Sequence, residues 1–164
     1  MRARVTTPIE QPPFGISASA VALGELGVLI RGGSGAGKSS LALALVDAWR
    51  RRGDFARLVG DDRVLVRIRG GRALLSPHRA ISGLAEWRGI GLLEQDYEDC
   101  AVLALIVDLE SEKQHAGRPR LPEPDELCSD FHGLRDIPLL RLPAKETERG
   151  VAAIMAFLHK VLTK

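Results

Sequence analysis

Cysteine is scarce in this 164-residue sequence: Cys100 and Cys128 are the only two, and they form no C-x-x-C pair. There is no disulfide framework to read, and free thiols in a reducing cytoplasm are the expectation. Charge of one sign is missing as well. The formal net charge is +2, so charge alone implies no nucleic-acid partner. The run Arg50-Arg51-Arg52 is expected at a helix C-terminus, where cations complement the helix dipole. No stretch approaches about 18 uninterrupted apolar residues, so no membrane-spanning helix is expected. Residues 1–13 carry no apolar h-region and read as a loose lead-in rather than a signal peptide. Internal repeats and low-complexity tracts are also missing, and the length suits one domain, residues 14–164.

What the sequence does have is Gly32-Gly33-Ser34-Gly35-Ala36-Gly37-Lys38-Ser39, which fits G-x-x-x-x-G-K-S. Glycines at these positions permit a tight turn whose backbone N–H groups point inward, at dihedrals a Cβ would resist. Those groups, with the N-terminus of a following helix, suit the β- and γ-phosphates of a nucleotide. Lys38 supplies a point charge to the phosphate oxygens, and Ser39 a hydroxyl for Mg²⁺. The context fits: a short apolar strand, Val28 to Arg31, precedes the loop, and an Ala- and Leu-rich helix from Lys38 to about Arg52 follows, closed by Gly53.

The remaining segments predict an α/β domain with a mixed sheet. Phe14 to Leu23 alternates as one strand, and a glycine-flanked turn joins it to Val28–Arg31 as a hairpin entering the loop. Ala56 to Gly60 is a strand ending at Asp61-Asp62. Arg63–Arg69 and Arg72–Leu75 form a second hairpin around Gly70-Gly71. Ile81 to Glu86 reads as a short helix or turn, and Trp87 to Leu93 as a glycine-punctuated segment near the sheet. Ala101 to Leu109 is the longest apolar run and the expected central strand. Residues 110–135 are polar, proline-containing and irregular. Ile137 to Leu142 is a last strand, and Lys145 to Leu162 a terminal amphipathic helix with Val151, Ile154, Met155, Leu158 and Leu162 at helical spacing.

A reaction at the loop needs a base and a metal shell, and several carboxylates compete for these roles. Asp61-Asp62 lies where one carboxylate can support Mg²⁺ and the other accept a proton from an attacking hydroxyl; the same pair also suits an Asx-type turn opening the hairpin. Asp108, after Leu105-Ile106-Val107, has the pattern of a Walker B aspartate. Glu86, within Glu86-Trp87-Arg88-Gly89-Ile90-Gly91, offers a carboxylate beside a guanidinium and two glycines.

Together these features resemble the catalytic domain of the HPr kinase/phosphorylase family, in a short form without the separate N-terminal domain. The resemblance rests on the hairpin into the loop Gly32–Ser39, on Asp61-Asp62 on the next strand, and on the Glu-x-Arg-Gly-x-Gly signature at Glu86. It covers about residues 15–110 closely and the rest loosely. It implies a Mg-ATP-dependent serine kinase acting on an HPr-type phosphocarrier of a phosphotransferase system, with ATP and Mg²⁺ bound, a cytoplasmic location and a homo-oligomer, a hexamer in such relatives. It implies Asp62 as base, Asp61 as its support at Mg²⁺, Lys38 at the transferred phosphoryl group, Ser39 and Glu86 at the metal, and Arg88 in the signature loop. The family's reverse reaction uses inorganic phosphate. Two of its features are replaced here: Ser17 stands where a histidine is usual, and Pro143-Ala144-Lys145-Glu146 where Pro-Gly-Arg-Asn is usual. The Ala48–Ala56 connection is also longer. Arg118 and Arg120, in the polar segment, read either as phosphate contacts or as solvated surface. A small-molecule kinase and an ATP-binding regulatory module without turnover remain as alternatives; no N-K-x-D motif suggests a GTPase.

Overall fold

A computed structural model describes residues 12–162. The expected lead-in, residues 1–13, therefore falls almost wholly outside the described residues. The chain runs β1 (Phe14–Ile16), β2 (Ser19–Leu23), β3 (Leu26–Gly32), α1 (Lys38–Arg51), β4 (Ala56–Gly60), β5 (Val64–Arg69), β6 (Arg72–Pro77), β7 (Leu84–Trp87), β8 (Gly91–Glu94), β9 (Ala101–Glu110), α2 (Glu112–Ala116), β10 (Cys128–Phe131), β11 (Leu134–Pro143) and α3 (Thr147–Leu162). Nine strands form one mixed sheet in the order β1-β5-β6-β9-β3-β2-β4, with β11 joining β9 and β10 pairing with β11. The α/β class, the mixed sheet, the hairpin before the loop and the C-terminal helix agree with the sequence-based expectation.

Strand β9 is the seam of this sheet. One edge runs parallel to β3, from Leu103 to Leu109. The opposite edge is shared: β6 pairs antiparallel with Ala101 and Val102, while β11 pairs parallel with Ile106 to Glu110. Its unbroken apolar sequence follows from burial on both faces. Leu105 and Val107 join the cluster under α1 and α3, with Val28, Ile30, Leu45 and Ile154. Leu103 and Ile106 join the opposite cluster, where Leu29 meets Val64, Val66 and Leu75 of the second hairpin. The β5–β6 hairpin thus covers the face that the helices leave open. Full burial of a leucine such as Leu45 contributes roughly 1.5–3 kcal/mol.

Helix α1 buries Leu41, Ala42, Leu45, Val46 and Trp49 along one stripe. It closes with Arg50 and Arg51 in its last turn, and Gly53 follows at φ +84°, the left-handed position favoured just after a helix.

Four expectations need correction. Phe14–Leu23 is two strands: β1 pairs with β5, β2 pairs with β3 and β4, and the chain bends between them at Ser17-Ala18. Residues 81–86 hold no helix beyond the 3-10 turn Arg79–Ile81; Leu84–Trp87 and Gly91–Glu94 form a separate two-stranded sheet. Residues 110–135 are more ordered than their composition implies. Ser111 caps α2 through a capping box, and Cys128–Phe131 pairs with β11. The last helix begins at Thr147, two residues later than read.

Candidate active site

The register places the key residues on one edge of the sheet. Strand β2 is antiparallel to both β3 and β4, and β9 and β11 are parallel to β3. The carboxyl ends of β3, β4, β9 and β11 therefore point the same way, and ligands of open α/β sheets bind beyond such ends. The glycine-rich loop leaves β3 there, and Asp61-Asp62 leaves β4 there. Only β2 lies between them, so two inter-strand spacings, about 10 Å, separate their main chains.

Within the loop, Gly35 and Gly37 adopt φ +71° and +95°. A Cβ at Gly32 would lie 3.0 Å from Leu109 Cβ and 3.2 Å from Ala36 Cβ. Ala36 is buried and anchors the loop, while Gly33, Ser34 and Gly35 are exposed. Lys38 Nζ donates to the carbonyls of Gly32 and Gly33, 3.0 Å each, which holds the ammonium across the loop. No side chain caps the N-terminus of α1, so its first N–H groups remain available as anion donors. Ser39 follows in the first turn, half-buried.

The two aspartates are sharply different. Asp61 is 3% exposed. Ser19 Oγ donates to its Oδ1 at 2.6 Å, and the Glu86 N–H donates to its Oδ2 at 3.1 Å. Asp62 is exposed and sits at φ +62°. The Arg63 N–H donates to the Asp61 carbonyl at 2.7 Å, making Asp62 the centre of a γ-turn of the rare positive-φ kind, which is strained. The Ala18 N–H donates to the Asp62 carbonyl at 3.2 Å and brings the exposed Ser17 beside it. The Asp62 carboxylate has no hydrogen-bond or ion-pair partner among the described residues. Asp61 is a buried anchor, and Asp62 is a free carboxylate in a strained turn.

Glu86 joins this group through its main chain, with its carboxylate exposed. Arg88 stands in the β7–β8 turn, where the Ile90 N–H donates to the Trp87 carbonyl at 2.9 Å. The Gln95 N–H on the Gly83 carbonyl closes the base of the hairpin, and the Glu98 N–H on the Leu58 carbonyl ties the segment after it to β4, both 2.7 Å. Asp108 is engaged elsewhere: Arg31 Nε and Nη2 donate to its two oxygens at 2.7 and 2.8 Å.

Among the described residues no cluster of three or more His, Cys, Asp or Glu side chains is arranged to hold a metal. Mg²⁺ seldom needs one, since it keeps waters and binds through one or two protein oxygens plus substrate phosphates. The hard oxygen donors Ser39 and Glu86 fit that chemistry, and both oxygens of Asp61 already accept hydrogen bonds.

One residue escapes sequence reasoning. Lys145, at φ +67°, donates its N–H to the Ala36 carbonyl at 3.0 Å, and its Cα lies 3.6 Å from where a Cβ on Gly37 would stand. The main chain of a second lysine thus rests on the glycine-rich loop from the β11–α3 junction. The only sequence signal was its place in Pro143-Ala144-Lys145-Glu146. Of the two arginines weighed as phosphate contacts, Arg118 pairs with Glu110, and Arg120 has no partner among the described residues.

Residues 14–161 match the family described as the HPr Serine kinase C-terminal domain. An HPr kinase/phosphorylase from Enterococcus faecalis is 36% identical over 138 residues, which is 79% of this chain and 42% of that protein. Those from Streptococcus pyogenes and Streptococcus thermophilus are 35% and 34% identical over the same shares. The chain thus spans 42% of the length of these curated relatives. The structure of the Hpr(Ser) kinase/phosphatase from Coxiella burnetii superposes with a TM-score of 0.71 at 21% identity, covering 92% of this chain and 91% of that one.

Proposed function

This chain belongs to the HPr Serine kinase C-terminal domain family, and from that premise we propose that it transfers the γ-phosphoryl group of Mg-ATP to a serine of an HPr-type phosphocarrier protein. The observation that carries the proposal is Asp62: a carboxylate without a partner among the described residues, in a strained turn, on the same sheet edge as Lys38. In this reading Gly32–Ser39 holds the phosphates, with Gly33, Ser34 and Gly35 exposed to them. Asp62 accepts the seryl proton while the seryl oxygen bonds to the γ-phosphorus and the bond to ADP breaks. Lys38 leaves its two loop carbonyls to follow the charge on the transferred group. Asp61, fixed by Ser19 and Glu86, orients the turn rather than taking a proton. Ser39 and Glu86 would hold Mg²⁺, which neutralises phosphate charge. Arg88 lies in the same signature hairpin and supplies positive charge there.

A cytoplasmic location and assembly into a homo-oligomer, a hexamer as the resemblance implies, complete this reading. No helix among the described residues is long and apolar enough to cross a membrane. The exposed Ser17 beside Asp62 supports a reading of reduced phosphorylase activity, because serine cannot supply the positive charge of a histidine there.

The experiment is transfer of labelled γ-phosphate to the host's own HPr-type proteins, with Asp62→Ala as control. Phosphoserine that disappears in the variant is the expected result. ATP binding without transfer to any of them would overturn the kinase and favour a nucleotide-sensing module.

A further inference from the structure

Strands β5 and β6 turn one face to the core through Val64, Val66 and Leu75. Alternation sends Leu65, Arg67, Arg72 and Leu74 to the opposite, outer face. Arg63 joins them there: its Nε lies 2.9 Å from where a Cβ on Gly15 would stand, and Gly15 is the β1 partner of Leu65. Arg79 borders the same face, on the wall of a depression of about 350 Å³ that Arg67, Leu65 and Leu74 also line. We propose that this outer face of β1, β5 and β6 docks an acidic surface of a protein partner, the phosphoacceptor protein itself. The identity of the partner rests on the kinase reading above.

Three observations support this. The first is charge. Arg63, Arg67, Arg72 and Arg79 are exposed, and none has a hydrogen-bond or ion-pair partner among the described residues. Strands β1, β5 and β6 contain no acidic residue, and the wall of the depression has one, Asp99. On the helices, by contrast, arginines meet acids: Arg51 pairs with Asp47 and Arg149 with Glu146. A patch of like charge repels itself, and an acidic partner relieves that repulsion. The second is position. Arg63 directly follows Asp62, and the face runs on from it along β5 to Arg67, about 13 Å away at the rise of a strand. A partner resting here has its edge at the proposed base. The third is chemistry. The four cations are all arginine, and Leu65 and Leu74 lie half-buried among them. Protein interfaces favour arginine over lysine around an apolar centre, and the planar guanidinium pairs with a carboxylate through two bonds at once. Residues 1–11, outside the described part, hold Arg2 and Arg4 against Glu10, so they bring the same sign of charge rather than its complement.

The test is fluorescence anisotropy of the host's labelled HPr-type proteins titrated with the whole chain, without nucleotide, at about 50 and about 300 mM KCl, run beside the transfer assay. Arg67→Glu/Arg79→Glu reverses the face; Arg51→Glu/Arg52→Glu changes the net charge equally and is the control. Saturable binding to at least one of these proteins is expected, weaker at the higher salt, about tenfold or more weaker for the face variant, and unchanged for the control. In the transfer assay the KM for the protein acceptor should rise by a similar factor, while the KM for ATP stays constant and reports an intact fold. Transfer with an unaltered acceptor KM in the face variant overturns the docking face and leaves the kinase standing. Binding that the face variant abolishes, without transfer in the parent, overturns the kinase and leaves the docking face standing. Neither binding nor transfer overturns both. Equal weakening in the control, equally tight binding of a short DNA duplex, or an oligomer that dissociates in the face variant also overturns the proposal; the last two assign the face to nucleic acid or to a second copy of this chain.

Discussion

Ser19 Oγ lies 2.6 Å from Asp61 Oδ1, and both residues are buried. The bond joins the first residue of β2 to the residue just after β4, and so fixes the turn that presents Asp62. Ser19→Ala should cost about 1–3 kcal/mol, since a buried carboxylate oxygen loses its donor. Urea denaturation reads this directly, and a loss below about 0.5 kcal/mol would mean that Asp61 is not held by Ser19.

Asp62 combines backbone strain with a free carboxylate, and glycine separates the two. Asp62→Gly should preserve or raise stability, because glycine adopts positive φ without a Cβ penalty. Transfer should fall by roughly 10²–10⁴, the usual contribution of a general base. Thermal melting and the labelled-phosphate assay together check this; a variant that is both stable and active would remove Asp62 from the chemistry.

Lys145 is open to the same treatment. Its left-handed conformation costs roughly 1–2 kcal/mol for a non-glycine residue, and its main chain rests on the glycine-rich loop. Lys145→Gly should melt no lower than the parent yet bind ATP more weakly, while Lys145→Arg should retain binding. Equal ATP affinity in all three proteins would reduce Lys145 to a structural cap.

The carboxylates considered for the proposed Mg²⁺ can be ranked by titration. Glu86→Ala should raise the Mg²⁺ concentration needed for half-maximal transfer. Asp108→Asn should not, because Arg31 already engages both Asp108 oxygens; its cost is the ion pair, up to about 1 kcal/mol for a pair this accessible. The opposite pattern would return the metal role to Asp108.

Much of this was legible in the sequence because the signals are local. The loop Gly32–Ser39 carries its own glycines, α1 its own stripe and closing glycine, and β9 its own apolar run. The hairpin into the loop follows from a turn of adjacent residues. The misread parts depend on partners far along the chain. Phe14–Leu23 splits because Ile16 finds Val64 while Ser19 finds Ile30, a choice no local alternation encodes. Residues 84–94 pair with each other but present exposed apolar side chains, Ile90 and Leu92 among them, so no buried stripe marked the strands. The unequal fates of Asp61 and Asp62 needed Ser19, 42 positions away, and the seat of Lys145 on the loop needed the whole of β11.

The divided edge of β9 bears on how the chain comes into being on the ribosome. Its first residues are paired by β6, which is synthesised earlier, but Ile106 to Glu110 wait for β11, which comes near the end. Until then an apolar strand edge stands open, the kind of template that recruits other chains. Leu109 and Lys145, which brace the glycine-rich loop from two sides, belong to that late-completed region. The proposed nucleotide binding is therefore expected only of the finished polypeptide, and a nascent chain stalled before Leu134 has the loop sequence without its support.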